Sequence, residues 1–340
     1  MPKRDIVVIG SSAGGVYALK DLVSQLPADF NASIFVVQHV AANTPSLLPG
    51  ILSRSGPLPA VHPHDGDAFE PGHIYLAPPN HHLILDHGRV LVRKGPKENR
   101  FRPSIDALFR SAAYTYGSRV IGVILTGLLN DGTSGMWTVK RLNGVSIVQS
   151  PDDALYADMP LNVMEYVDVD HTIPLAELGP LLCRLIDEPA PEQHQLSPEE
   201  TERIEIEVRT AAQHNAFEMG ILNLGQLTQL TCPECHGAIS AIQEGTLVRY
   251  RCHTGHAFTA SSLLSEVSKS VEDSFWKVLR GLEESTILLG QMGDKFKKEG
   301  KLEAADQFIE QARKTRQQSQ VILDLVFQHE RVSEDARLEG

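Results

Sequence analysis

Apolar residues in the first half of the chain fall into short continuous runs separated by segments of helical period. Residues 5–9 (DIVVI), β-branched after Asp5, lead into the turn Gly10-Ser11-Ser12-Ala13-Gly14-Gly15. Leu19, Leu22, Val23 and Leu26 then recur at spacings of three and four until Pro27 ends the pattern. Residues 33–37 form a second strand-like run that stops at Gln38-His39. The alternation returns as a helix over 105–116, a strand over 120–125, a helix over 136–142 and a strand over 145–149. Uniformly apolar strands alternating with helices predict an α/β fold, a doubly wound and mostly parallel sheet covered on both faces. Residues 60–93 break the rhythm. There 73–77 and 82–92 alternate, with Asp86-His87-Gly88 as a turn, which predicts an antiparallel hairpin at the sheet edge.

Periodicity lapses over 188–197, a polar, proline-bearing linker between a domain at 1–187 and a second at 198–340. Ser197-Pro198-Glu199-Glu200 reads as a helix start, with a serine cap, proline in the first turn and glutamate three after the cap. Beyond residue 260 the spacing of Leu264, Val267, Val271, Phe275, Val278 and Leu282 is helical. It breaks over 290–300 and resumes through Ala305, Phe308, Ile309, Ala312, Val321, Ile322 and Leu325, which predicts a helical hairpin.

Composition narrows the class. With 42% hydrophobic and 22% charged residues the 340-residue chain is an ordinary globular one. A net charge of -12 argues against nucleic acid as the partner. No apolar run approaches the roughly 18 residues of a membrane span and no signal segment opens the chain, so a cytoplasmic location without membrane insertion is expected. Of the four cysteines, Cys183 stands alone, and Cys232, Cys235 and Cys252 cluster.

Chemistry in a doubly wound sheet gathers past the carboxyl ends of its strands. Ser11 and Ser12 follow the first strand, His39 the second, and Asn130-Asp131-Gly132 the strand at 120–125. Serine, histidine and aspartate are the parts of a hydrolytic triad: the imidazole takes the hydroxyl proton, and the carboxylate holds the imidazole's tautomer. The helix start after the glycine-rich turn leaves amide donors for an oxyanion. Each feature has a plainer reading. GSSAGG serves equally as a phosphate cradle, His39 as a structural histidine and Asp131 as a turn residue. A nucleotide-binding domain is disfavoured because the turn is not G-x-G-x-x-G and the second strand ends in Gln-His where an acidic residue would be expected.

Cys232-Pro-Glu-Cys235, with Cys252 and then His256 four positions later, has the spacing of a zinc ribbon. Strand-like segments within 238–251, turning at Glu244-Gly245, would bring the second pair across a hairpin. Four such ligands leave no open position, so the expected zinc is structural and catalysis needs no cofactor. His253 is the alternative fourth ligand; Gly255 favours His256.

The segments IVVIGSSAGG, FVVQH, YLAPPNHHL, FRPSIDALF, GVILTGLLNDGTSGM and the later Ala-Asp-Met-Pro, in this order up to about residue 185, resemble the catalytic domain of the chemotaxis protein-glutamate methylesterase family (CheB). The resemblance implies Ser12, His39 and Asp131 as the triad, with Ser12 chosen over Ser11 by its distance from the glycine pair. It also implies oxyanion amides at Ala13 and Leu128 and a substrate contact at Arg102. The implied reaction is hydrolysis of glutamate γ-methyl esters, and deamidation of glutamines, on a chemoreceptor-like protein. A catalytically inactive receptor-binding module is the alternative. Chemotaxis members carry a receiver domain before the esterase, whereas the esterase strand here begins near Asp5 and no receiver pattern appears over 190–340. The segment Arg-Cys-His-x-Gly-His-Ala-Phe resembles C-terminal extensions of stand-alone relatives. A ribbon with a helical hairpin suggests partner docking or self-association.

Overall fold

A computed structural model describes residues 2–40, 45–192, 194–212 and 216–338. The chain divides into two compact units, Met1–Ser262 and Leu263–Gly340.

The first unit is built on β1 (Ile6–Ser11), α1 (Gly15–Ser24), β2 (Ser33–Gln38), α2 (Leu48–Ser55), β3 (Ala60–Val61) and β4 (Ile74–Leu76). The hairpin β5 (His82–Asp86) and β6 (Arg89–Arg93) leads to α3 (Ile105–Tyr116), β7 (Val120–Ile124), α4 (Thr133–Arg141), β8 (Val145–Gln149), α5 (Asp158–Tyr166), β9 (His171–Ile173) and α6 (Leu175–Asp187). Seven strands pair in parallel in the order β3-β4-β2-β1-β7-β8-β9.

Strand periodicity explains the layers. Val7 and Ile9 of β1 point into one core with Leu19 and Leu22 of α1, Leu52 of α2 and Leu182 of α6. Ile6 and Val8 point into the other with Phe109 of α3, Met136 of α4 and Val163 of α5. Burial on both faces is why these strands read as unbroken apolar runs. The hairpin at 82–93 forms as a two-stranded antiparallel ladder of its own, with residues 74–76 instead joining the main sheet beside β2.

The chain leaves β2 toward one edge and returns to β7 on the other side of β1. This reversal opens a crevice at the carboxyl ends of the three central strands, where a doubly wound sheet binds its ligands.

Helix α7 (Pro198–Ala212) starts as its sequence predicts: Ser197 Oγ accepts from Glu200 N at 3.2 Å, and Ser197 N donates to the Glu200 carboxylate at 3.1 Å. A four-stranded antiparallel sheet follows, of β10 (Gln226–Thr231), β11 (Ala238–Glu244), β12 (Leu247–Cys252) and β13 (Ala257–Thr259). Both α7 and this sheet belong to the first unit.

A buried ionic cluster joins them to the rest of it. Glu98 lies 3.1 Å from Arg110 and 2.8 Å from Arg251, while Glu207 lies 2.9 Å from Arg110 and 2.7 Å from Arg249. Glu244 completes the set at 2.9 Å from Arg249 and also accepts from Ser134 Oγ at 2.7 Å. Burial works to raise both the Glu98 and Glu207 pKa values, but the guanidinium charges outweigh it. Glu98 ends well below the carboxylate range and Glu207 at about 2.

The second unit comprises helix α8 (Ala260–Lys298) from Leu263 onward and α9 (Leu302–Leu338), which run antiparallel with Phe296 stacked on Phe308 and Phe275 edge-on to His329. The break expected over 290–300 is narrower than its sequence pattern: α8 continues through Gly290 and Gly293 to Lys298. Gly293 lets Ile309 approach where a Cβ would stand 2.8 Å from its side chain, so the glycine packs the hairpin closer instead of ending the helix. Among the described residues, no helix is long and apolar enough to cross a membrane.

Removing one member of a fully buried ion cluster strands its partners. Glu98→Gln is expected to lower the unfolding free energy by about 3–5 kcal/mol, read from urea denaturation. The folded-state pKa values of Glu98 and Glu207 lie below their ordinary 4.5, so the stability they contribute is complete above that pH and is lost as pH falls toward 2. The urea midpoint of the wild-type chain should therefore drop steeply across that window.

Candidate active site and metal centre

Three strand ends converge on one point. Ser12 follows β1 in a turn whose backbone is set by Ser12 N bonding to Thr126 O at 3.1 Å and Gly15 N to Ser12 O at 2.9 Å. Gly14 has φ 76°, a left-handed conformation in which a side chain would be strained, and it lets the turn enter α1 directly. Gln38, at the end of β2, separates the two serines. Its Oε1 accepts from Ser11 Oγ at 2.7 Å, and its Nε2 donates to the carbonyls of Ser12 and His39 at 2.8 and 2.9 Å. Ser11 is thereby buried and engaged, and the Ser12 hydroxyl faces the crevice.

His39 Nδ1 lies 3.1 Å from Ser12 Oγ and His39 Nε2 lies 2.8 Å from Asp131 Oδ2. With Nε2 carrying its proton toward the carboxylate, Nδ1 presents a lone pair to the hydroxyl. The structure thus brings Ser12, His39 and Asp131 into one hydrogen-bonded line.

Asp131 is fully buried and surrounded by donors. Oδ2 accepts from Ile105 N at 2.7 Å as well as from His39; Oδ1 accepts from Ser104 Oγ at 2.9 Å, Asn99 Nδ2 at 3.1 Å and Asp106 N at 3.3 Å. Burial works to raise its pKa, but the hydrogen bond and charge of His39 and the bonds from Ile105 and Asn99 prevail and hold it below the ordinary value. The neighbouring Asp106 goes the other way. Burial and the Asp131 charge push it up to about 7, although it accepts from Gly132 N and Gly135 N at the start of α4.

The other expected site residues are distributed around this line. Ala13 follows Ser12 immediately before the N-terminus of α1. Leu128 is exposed and follows Gly127, which packs so closely on Ser12 that a Cβ there would stand 2.8 Å from Ser12 Cβ. Arg102 donates to Asn80 Oδ1 through Nε and Nη2, at 2.9 and 2.8 Å, and to Gly95 O at 2.7 Å.

Sequence reasoning missed Asn99, Phe101, Ser104 and Asp106. The Phe101 ring lies flat on the His39 ring, with centroids 3.6 Å apart and planes 9° from parallel. The segment carrying Asn99 and Phe101 has no hydrophobic period to mark it, and its distinguishing feature, positive φ at Asn99 and Arg100, is one of backbone conformation.

In the antiparallel sheet, Cys232, Cys235, Cys252 and His256 place their ligand atoms within 4.8 Å of one another. Cys235 Sγ and Cys252 Sγ are 3.6 Å apart, and His256 Nδ1 is 3.7 Å from Cys232 Sγ and 3.6 Å from Cys252 Sγ. These separations match the edges of a tetrahedron of metal–ligand bonds about 2.0–2.3 Å long, so the donor set and spacing fit a metal ion. His253 lies over Gly237 instead, where a side-chain atom would have no room.

A family profile described as CheB methylesterase matches residues 7–182. A Leptospira interrogans protein named putative protein-glutamate methylesterase/protein-glutamine glutaminase is 35% identical over 182 residues, covering 53% of this chain and 94% of its own length. The Thermotoga maritima protein-glutamate methylesterase/protein-glutamine glutaminase is 36% identical over 185 residues, which is 53% of this chain and 54% of that protein. The chain thus spans about half the length of this second relative. The crystal structure of the Thermotoga maritima CheB methylesterase catalytic domain covers 55% of this chain and all of its own, at 35% identity and a TM-score of 0.52.

A serine hydroxyl bonded to a carboxylate-held imidazole should react with a fluorophosphonate probe. Intact-mass and peptide mapping are expected to place a single adduct on Ser12, none on Ser11, and to lose it in His39→Ala.

Proposed function

The chain belongs to the CheB methylesterase family, and we propose that it hydrolyses γ-methyl esters of glutamate on a chemoreceptor-like protein in the cytoplasm, and deamidates glutamines by the same route. The observation that carries the reading is the line from Ser12 Oγ through His39 to Asp131, with contacts of 3.1 and 2.8 Å.

Ser12 Oγ attacks the ester carbonyl carbon while its proton passes to His39 Nδ1. Asp131 stabilises the imidazolium that results and keeps its Nε2–H directed away from the substrate. Backbone amides at Ala13 and Leu128 donate to the oxyanion, an assignment supported by Ala13 preceding a helix N-terminus and by the close packing of Gly127 on Ser12. Collapse of the tetrahedral intermediate breaks the bond to the methoxy oxygen, which leaves as methanol with the proton from Nδ1. Water then attacks the Ser12 ester, giving its proton to His39, and the glutamate carboxylate departs as Ser12 recovers its hydrogen. With glutamine the first leaving group is ammonia. Arg102, held by its bonds to Asn80 Oδ1 and Gly95 O, is assigned to orient the substrate.

In this reading Cys232, Cys235, Cys252 and His256 would hold a structural zinc ion, which would tie the Cys232–Cys235 turn to the Cys252–His256 turn and supply no catalytic chemistry. The ligands' own turns prepare it: His236 N bonds to Cys232 O at 2.8 Å, and Gly255 N to Cys252 O at 2.9 Å.

Methanol release from methyl-esterified receptor signalling domains tests the activity. Wild type is expected to release methanol, Ser12→Ala to release none, and Asp131→Asn to lose on the order of 10⁴-fold in kcat. Binding without release by wild type would make the chain a receptor-binding module instead. Reconstitution with Co²⁺ tests the metal centre independently: thiolate-to-cobalt charge-transfer absorption is expected for wild type and should be lost in Cys252→Ser.

A further inference from the structure

The turn between β6 and α3 touches both supporting members of the triad. Glu98 N bonds to Phe101 O at 3.2 Å and Phe101 N to Glu98 O at 2.8 Å, with Asn99 and Arg100 at the tip in left-handed conformations of φ 48° and 78°. Such conformations persist only where the surroundings hold them.

The Asn99 amide uses its whole hydrogen-bonding capacity. Nδ2 donates to Asp131 Oδ1 at 3.1 Å and to Asp106 Oδ2 at 2.8 Å, and so bridges two buried carboxyl groups. Oδ1 accepts from Thr259 N at 3.1 Å and from Ser262 Oγ at 3.3 Å. Exchanging nitrogen and oxygen would set a carbonyl against two carboxyls, so the network fixes the amide's orientation. Two residues on, Phe101 covers one face of the His39 ring.

The residues that hold this turn come from the metal-bearing sheet. Asn99 N bonds to Ala257 O at 2.8 Å and Ala257 N to Lys97 O at 3.2 Å, so residues 97–99 pair with β13. Arg251 of β12 reaches Glu98 at 2.8 Å. Lys97 reaches Glu234 at 2.7 Å, inside the Cys232–Cys235 turn. The ligands themselves are adjacent to these contacts, with Cys252 ending β12 and His256 directly preceding Ala257.

We infer that Asn99 and Phe101 are positioning residues of the triad, and that the metal-bearing sheet holds them, so that metal occupancy sets the turnover number without the metal touching substrate. The inference rests on the esterase and metal readings above. Asn99 keeps the Asp131 carboxylate aimed at His39 and separated from Asp106, and Phe101 limits rotation of the imidazole. Losing the metal frees the β12–β13 turn, then the turn at 97–101, and the triad drifts from its productive geometry. A displacement of about 1 Å at a catalytic group costs on the order of 10²-fold.

The experiment uses the full chain. Zinc content, kcat and KM on a methyl-esterified receptor domain, the rate of fluorophosphonate labelling at Ser12, and the low-field proton resonance of the His39–Asp131 hydrogen bond are measured before and after chelation, and after zinc is restored. Chelation is expected to lower kcat and labelling about 10- to 100-fold with KM within about twofold, to broaden the resonance, and to be reversed by zinc. Asn99→Ala and Phe101→Ala should give the same kcat loss at full zinc content, and Phe101→Tyr should restore it. A demetallated chain with unchanged labelling and resonance would overturn the inference while leaving both parent readings intact. A chain that binds neither zinc nor cobalt would overturn the metal reading and the metal half of the inference together. Absence of turnover in wild type with Ser12 labelling retained would count against the esterase reading alone. If chelation unfolds the chain by far-UV circular dichroism, Asn99→Ala and Ser262→Ala decide the question, since both keep all four ligands. A tenfold or larger loss for Asn99→Ala with a smaller loss for Ser262→Ala supports the inference, and rates equal to wild type overturn it.

Discussion

A carboxylate removed from water is costly unless donors surround it, and Asp131 is surrounded on every side. His39, Ile105, Asn99, Ser104 and Asp106 all donate to it, from the end of β2, the turn before α3 and the first turn of that helix. Much of the local architecture follows from meeting this demand. The start of α3 must point its free amides at the β7 loop, and the turn at 97–101 must fold back far enough for Asn99 to reach inward. Asp106 then sits beside a like charge, and burial together with that charge raises its pKa above the ordinary carboxylate value.

The sheet supplies the other half of the geometry. Because β1 lies between β2 and β7, three strand ends separated by long stretches of sequence meet within hydrogen-bond reach. Gln38 then chooses between adjacent serines by binding Ser11 and leaving Ser12 to His39. The alignment of Ser12 with His39 therefore depends on strand order first and on two side-chain networks second, one around Gln38 and one around Asp131.

Legibility in the sequence follows the same division. Strand ends are marked by the change from apolar runs to polar residues, so Ser11 and Ser12, His39 and Asp131 stand out from the order of residues, while the choice of Ser12 over Ser11 comes from the family resemblance. Local signals are equally readable at the Ser197–Glu200 helix cap and in the Cys232–His256 spacing. What escapes such reading has distant partners: Asn99 meets Thr259 and Ser262, Glu98 meets Arg251, and Ser134 meets Glu244. No period or motif announces such pairs, because the constraint is tertiary and each residue alone resembles solvated surface. Gly290 misleads in the opposite sense, since a long helix with partners along its length tolerates a residue that an isolated one would not.

The buried ionic cluster also has a temporal aspect. Glu98 and Arg110 emerge from the ribosome early and lie 3.1 Å apart, while Glu207, Glu244, Arg249 and Arg251 emerge later and include pairs at 2.7 and 2.9 Å. Each group is electrically neutral by itself. During vectorial synthesis the earlier part can therefore collapse without stranding an unpaired member of this cluster in its interior, and the later part arrives equally balanced. Their union exchanges ionic partners across the seam and transfers no net charge into the protein, which lets a chain with a wholly buried ionic core assemble in the order in which it is made.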